Sequence, residues 1–190
     1  MALPKLNDKP KYELVIPSTG QTVRFRPYLV KEEKVLMMAM ESEDQVSMFS
    51  AIVDTIEACV DGDINKQALA SFDVEYMFVK IRSKSVGESI TISPECNQCE
   101  ERNELKISLD TLDVKKPDAA SIIELNEDIS IQMKYPSYLS MLDKDILESK
   151  STTHQTFAMI LKCIESVMTE DENMAFKDET RESQMEFIES

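Results

Sequence analysis

Polar and apolar positions alternate twice near the start of the chain, at Tyr12–Ile16 and at Thr22–Arg26, and Pro17-Ser18-Thr19-Gly20 between them has the residue types of a tight turn. The pattern predicts a β-hairpin. In its second strand Val23 and Phe25 form an apolar face, so Arg24 and Arg26 are expected on the other face, in solvent or against a partner. Two guanidinium groups on a rigid strand suit carboxylate recognition, which makes Arg24 and Arg26 candidate contact residues; charges that keep a hairpin soluble would give the same pattern.

Beyond Pro27 the period changes from two to about three and a half. Leu29, Leu36, Met37 and Met40 recur on one face while Lys31, Glu32, Glu33 and Lys34 face water, which predicts an amphipathic helix. A second helix starts at the N-cap Asp44, carries Met48, Phe49, Ile52, Val53, Ile56, Cys59 and Val60 inward, and stops at Asp61-Gly62. A third is expected after the cap Asp73, with Val74, Met77, Phe78 and Ile81 on its core face. Met37, Met38, Met40 and Met48 belong to a total of twelve methionines, a side chain that fills irregular cores and also lines adaptable binding faces.

Alternation returns at Ile90–Ile92 and at Leu105, Ile107 and Leu109, with Cys96-Asn97-Gln98-Cys99 at the tip between them. A C-x-x-C on a β-hairpin has the form of a zinc knuckle, in which one turn aims two thiolates at one ion. A tetrahedral site needs four ligands, so Cys96 and Cys99 are a half site, its other ligands missing or supplied by another chain. Two thiols without metal are the competing reading. Glu100 stands where a knuckle usually has glycine. Redox use would place the pair at a strand-to-helix junction, and a strand is expected after Cys99.

Lys115-Lys116-Pro117-Asp118 reads as a linker. A further hairpin follows, from Ile122–Leu125 through Asn126-Glu127-Asp128 to Ile129, Ile131, Met133 and Tyr135. A helix opens at Pro136-Ser137 and runs through Ile146. After the polar gap 149–153 comes the clearest helical pattern, Phe157, Ile160, Leu161, Ile164, Val167 and Met168. The last segment, from Asp178, has N-cap candidates in Asp178 and Thr180 and apolar residues in Met185, Phe187 and Ile188, so it either docks or continues in a longer natural chain.

These elements predict an α+β fold of β-hairpins packed with amphipathic helices, with a knuckle-like hairpin around Cys96 and Cys99. At 190 residues the expectation is one domain over 1–190, with sub-regions 1–87, 88–112 and 113–190. Charge narrows the partners. With 36 acidic against 21 basic residues the net charge is -15, which repels nucleic acid and anionic lipid. No run approaches the roughly 20 apolar residues of a membrane span, and the first residues lack the core of a signal peptide. A cytoplasmic location and no direct membrane insertion are therefore expected.

Catalytic chemistry finds little to work with. Three glycines do not make a phosphate-cradling loop, and the single histidine, His154, excludes a two-histidine metal motif. His154 lies in a Ser/Thr-rich stretch, and acidic pairs such as Glu32-Glu33 sit on faces that read as solvated. No enzyme is expected.

Several separated blocks in one order carry a resemblance: PSTGQTVRFRPYLVKEEKVLMMAMES (17–42), FDVEYMFVKIRSKSVGE (72–88), the CNQC pair, MKYPS (133–137) and DETRESQMEFIES (178–190). Together they resemble the baseplate hub and hub-assembly proteins of T4-like contractile-tailed phages. The resemblance implies a late, non-enzymatic viral protein that contacts other hub and hub-assembly proteins, in the host cytoplasm during assembly or in the virion tail baseplate. It also implies that relatives continue past the FIES segment to a second C-x-x-C, which would make Cys96 and Cys99 half of a four-thiolate zinc site. From another functional class, a metal- or redox-responsive adaptor working through Cys96 and Cys99 is the alternative.

Overall fold

The computed structural model describes residues 10–115, 121–147 and 151–189. Of the expected linker only Lys115 falls among them, and Ser149 and Lys150 of the polar gap lie outside. The chain is mixed α and β, with antiparallel pairing in every sheet. It divides into two compact units. One comprises the chain up to Lys66 and Phe72–Val114; the other comprises Gln67–Ser71 and the chain from Lys115 onward.

The first unit opens with the expected hairpin, β1 (Tyr12–Val15) and β2 (Thr22–Phe25), in register Tyr12↔Phe25 and Glu13↔Arg24. Gly20 takes φ 72° and closes the turn by donating its N–H to the Ile16 carbonyl at 2.8 Å, a conformation that carries a steric cost for other residues. The helices α1 (Val30–Glu41), α2 (Gln45–Cys59) and α3 (Ser71–Ser85) follow, with β3 (Val60–Asp61) joining α2 to the sheet beside β2. Leu14, Ile16, Val23, Phe25, Val53, Ile56, Val74, Met77 and Ile81 are buried, so both hairpin strands and α2 and α3 supply the core with the residues that the pattern assigns.

Three expectations for this unit need correction. The helix α2 ends one residue early, at Cys59, because Val60 adopts φ -86° and ψ 138° and pairs with Phe25. Asp73 does not precede α3 but lies in its first turn, fully buried. There it accepts hydrogen bonds from the Ser18 N–H (2.8 Å) and hydroxyl (2.5 Å), fixing the hairpin turn to the helix. On α1 the expected faces hold only in part: Leu29 and Leu36 are half-buried and Lys31 and Lys34 exposed, but Glu32 and the methionines depart from the pattern. The buried residue of the helix is Glu32, while Met37, Met38 and Met40 are 56%, 61% and 67% exposed.

A separate two-stranded sheet completes the unit. Its strands, β4 (Ser89–Ile92) and β5 (Leu105–Ser108), pair Ile90↔Ile107, and the bridge Glu95↔Arg102 extends the ladder toward Cys96 and Cys99.

The second unit repeats the opening move. In β6 (Ile122–Glu124) and β7 (Ile129–Met133), the turn is fixed by Asn126 Oδ1, which accepts from the N–H groups of Asp128 (2.9 Å) and Ile129 (2.8 Å). The single helix expected from Pro136 through Ile146 is broken into α4 (Tyr138–Met141) and α5 (Lys144–Leu147), and the next expected helix is α6 (Thr152–Cys163). Ile164, Val167 and Met168 are not the end of that last helix. They lie in β8 (Ile164–Thr169), paired with β7 on one side and β9 (Asn173–Ala175) on the other. Residues at i, i+3 and i+4 also fit a strand buried on both faces, and here the flanking strands decide between the two.

The core of this unit is Ile131, Ile164, Val167 and Phe176, with Phe187 and Ile188 of α7 (Arg181–Glu189) packed against it. The Phe176 and Phe187 rings meet edge-on at 6.0 Å. The last segment therefore docks, with Thr180 Oγ1 accepting from the Ser183 N–H at 3.3 Å as an N-cap does. Gln67–Ser71 joins this unit through backbone bonds at both ends, Tyr138 N–H to Leu69 O and Ser71 N–H to Pro136 O, each 3.2 Å.

Both units make the passage from helix to strand in the same way, with no residue between. The Cys59 carbonyl ends α2 and accepts from the Arg26 N–H at 2.9 Å; the Cys163 carbonyl ends α6 and accepts from the Lys134 N–H at 2.7 Å.

Candidate functional site

The two arginines expected to share a face have different roles. Arg24 lies on β2 opposite Glu13, and its Nε donates to Glu13 Oε1 at 3.0 Å; both side chains are largely exposed. Arg26 follows the last residue of β2, and its guanidinium turns inward, 15% exposed. It donates to Glu32 Oε1 (3.0 Å) and to the carbonyls of Ala58 (2.8 Å) and Pro27 (2.9 Å). Of the two placements expected for Arg26, solvent or a partner, the first is corrected: these three bonds lie within the first unit and tie the end of α2 to the start of α1.

Glu32 is the counterpart of that clamp. Its other oxygen accepts from the Leu29 N–H at 2.7 Å, the reach-back bond of a helix start, and the Lys31 ammonium lies 3.2 Å away. Burial acts to raise the Glu32 pKa; hydrogen bonds from Arg26, the Leu29 backbone and Lys31 outweigh it and hold the carboxyl below its ordinary range. A glutamate three residues after the helix N-cap Leu29 was the available signal, but its partner Arg26 lies around a turn and is invisible to a periodicity reading.

Cys96 and Cys99 sit on one turn. Cys96 N–H donates to Glu101 O, and Glu100 N–H donates to Cys96 O, each at 2.9 Å. Glu100 has φ 59°, so a glutamate occupies the left-handed position where glycine is usual, and the turn forms without it. Backbone hydrogen bonds from Gln98 and then Cys99, followed by the Cys99 side chain, hold the Cys96 thiol below its ordinary pKa. The turn therefore favours a thiolate at Cys96. Among the described residues no group of three or more His, Cys, Asp or Glu side chains is placed to hold a metal ion.

The remaining cysteines and the histidine lie elsewhere. Cys59 is buried at the end of α2, as its place in an apolar stripe implies, and Cys163 is half-buried, with its thiol pKa pushed up by burial. His154 is exposed in the first turn of α6, where its backbone N–H is received by Ser151 Oγ at 3.4 Å.

One cleft of about 280 Å³ opens in the first unit beside Tyr12, Phe25, Tyr76, Lys80, Lys84 and Asp110. Its charges satisfy one another. Lys84 is bound to Asp110 (2.8 Å) and Glu88 (2.6 Å), bonds that hold its pKa above the ordinary lysine range, and Lys80 donates to the Asp110 carbonyl at 2.7 Å. Both ammonium groups lie over tyrosine rings, Lys80 at 5.2 Å from that of Tyr76 and Lys84 at 5.6 Å from that of Tyr12. Such a cluster joins α3, the hairpin and the end of β5, and it leaves Asp110 with a lowered pKa through its bond to Lys84, the wrong direction for a general base near neutrality.

No curated protein and no solved structure matches the chain. The family described as T4 bacteriophage base plate protein matches residues 9–190, which spans both units, the clamp at Arg26 and the turn at Cys96. The chain belongs to that family.

Proposed function

We propose that this baseplate protein is a structural or assembly component of the tail hub, working through contacts with other hub and hub-assembly proteins and catalysing no reaction. The observation that carries the reading is the family match across residues 9–190, taken with the hub-like blocks from Pro17 to Ser42 and from Phe72 to Glu88. The internal engagement of Arg26, Lys80 and Lys84, and the exposed methionines of α1, favour a surface that packs on protein over one that binds a small anion. A net charge of -15 disfavours nucleic acid, and among the described residues no helix is long and apolar enough to cross a membrane. The protein would be present in the host cytoplasm during assembly and, in the structural role, in the tail baseplate afterwards.

Quantification of the chain by mass spectrometry in purified tails and in unassembled hub complexes tests this. A fixed stoichiometry in tails supports the structural role, and presence only with unassembled hub proteins supports the assembly role. Absence from both would overturn the reading.

A second reading rests on the turn at Cys96, whose backbone favours a thiolate. Cys96 and Cys99 would supply two sulfur ligands to zinc, with the others from another chain, in an adaptor responsive to metal or redox state. Replacing both by serine would abolish an adaptor's response and leave an assembly factor folded and partly competent. Zinc analysis of the isolated chain and of its complexes separates the cases.

A further inference from the structure

The helical hairpin of α1 and α2 is built outward. Glu32 is buried on α1 and Leu36 and Ala39 are half-buried, while Val30, Met37, Met38 and Met40 are exposed; at the start of α2 Val46 is exposed as well. Successive turns of α1 thus present Val30, then Met37 and Met38, on the side away from Glu32. Methionine on such a face adapts its shape to a partner at little cost.

The tip of the hairpin carries one sign of charge. Glu41 ends α1, at the negative end of the helix dipole, and α1 has no basic residue in its last turn. Glu43 and Asp44 follow. Asp44 caps α2, accepting from Val46 N–H at 3.3 Å and Ser47 N–H at 3.0 Å. Of the lysines on α1, Lys31 contacts Glu32 and Lys34 lies toward the base of the hairpin, away from the tip.

Glu43 adds an independent observation. Its φ of 55° puts a glutamate in the left-handed position after a helix end, where glycine is the unstrained choice. Its side chain makes no contact that the turn requires, since the turn closes through Ser42 N–H to Ala39 O (3.3 Å), Ser42 Oγ to Ala39 O (2.7 Å) and Glu43 N–H to Met40 O (3.4 Å). The chain thus tolerates backbone strain at a position where it gains an exposed carboxylate, a pattern that points to use of that carboxylate by something outside the turn.

We infer that the α1–α2 hairpin is a docking arm that inserts Met37, Met38 and Met40 into an apolar groove of another baseplate protein, with a lysine- or arginine-rich rim receiving Glu41, Glu43 and Asp44. Charge complementarity selects this occupant: a second copy of the same arm would bring like charges together, and an anionic membrane would be repelled by the tip. The inference rests on the proposed role in the baseplate hub and names the surface through which that role is carried out.

The test uses the full chain co-expressed with the other tail baseplate proteins of its phage, with a photo-crosslinking benzoylphenylalanine at position 38 or, as an exposed control, at position 21. Position 38 is expected to crosslink to one other baseplate protein, at an apolar groove flanked by lysine or arginine, in clear excess over position 21. Met37→Ser with Met38→Ser is expected to reduce complex formation by about tenfold or more. Glu43→Gly is expected to raise the urea midpoint of the isolated chain and yet weaken the complex roughly threefold to tenfold, a pair of effects that a merely structural residue does not produce.

A dominant crosslink to a second copy, an adduct in an acidic surface, or a complex unaffected by Glu43→Gly overturns the inference. If the unmodified chain enters baseplate complexes and the arm variants enter equally well, the docking arm fails and the hub role stands. If the unmodified chain enters none, both fail.

Discussion

Replacing Arg26 by alanine tests whether that side chain serves the fold or a partner. The substitution leaves Glu32, whose side chain is 8% exposed, without the guanidinium 3.0 Å away, and frees the Ala58 carbonyl from its 2.8 Å bond. Removing one partner of a fully buried ion pair costs about 3–5 kcal/mol. Here Lys31 still lies 3.2 Å from Glu32 and Arg26 is itself 15% exposed, so a loss of about 2–3 kcal/mol is expected. With a urea slope of about 1–3 kcal/mol/M, the midpoint should fall by roughly 1–2 M, measurable by circular dichroism at pH 7.

Arg24→Ala is the internal control. Its pair with Glu13 is 68% and 60% exposed, and such pairs are worth less than about 1 kcal/mol. The pH dependence supplies the second half of the test. Because the Glu32 pKa is lowered by folding, its contribution is complete above the ordinary value of 4.5 and is lost as the pH falls through the lower folded value. The gap between the natural protein and Arg26→Ala should therefore narrow on acidification, and Glu32→Gln should remove that part of the acid-side slope. An Arg26→Ala midpoint equal to that of Arg24→Ala at pH 7, or a gap independent of pH, would refute the clamp.

Other expectations follow from the same geometry. Ser18→Ala should destabilise the first unit by about 1–3 kcal/mol, and a double-mutant cycle with Asp73→Asn should show coupling, since the fully buried carboxylate of Asp73 accepts two bonds from Ser18; additive effects would count against that contact. Iodoacetamide should label Cys96 at lower pH than Cys163, read by mass spectrometry of the adducts, because backbone donors lower one thiol pKa and burial raises the other; equal onset would contradict both directions. Glu100→Gly should stabilise the chain by about 1 kcal/mol in urea denaturation by relieving its positive φ, and a loss would mean that the glutamate anchors the turn. Phe176→Ala should cost about 3–5 kcal/mol, seen as a lowered thermal midpoint, because the ring is 4% exposed and in contact with Phe187.

The hairpins were legible in the sequence because their determinants are local: alternation over four or five residues, and turns closed by Gly20 or Asn126. The ends of α2 and α6 were not. Val60 and Ile164 fit the helical pattern that precedes them, and they become strands because Phe25 and Met133, distant in sequence, offer a ladder to join. On α1 a glutamate is assigned to water by every periodicity rule, and it is the guanidinium of Arg26, with the Leu29 N–H and the Lys31 ammonium, that makes its burial favourable. The same limit applied to the candidate sites. The Cys96 and Cys99 turn was visible as a spacing, but that a glutamate could hold the left-handed position at residue 100 was not, since composition argues for glycine there.

The two junctions at which a helix passes straight into a strand have a wider meaning. Each lies at the same step: a hairpin, then helices, then a strand returning to the second hairpin strand. After β2 come Arg26, Pro27 and Tyr28; after β7 come Lys134, then Pro136 and Tyr138. The two units share this one step, and Cys59 and Cys163 are counterparts at it, each with a carbonyl that receives an N–H from the residue after a hairpin. Cys59 and Cys163 show what such a comparison yields. One thiol is buried and the other half-buried, yet both carbonyls receive the same bond, so the shared requirement at this step is the backbone geometry imposed by Val60 and Ile164, and sulfur is incidental to it.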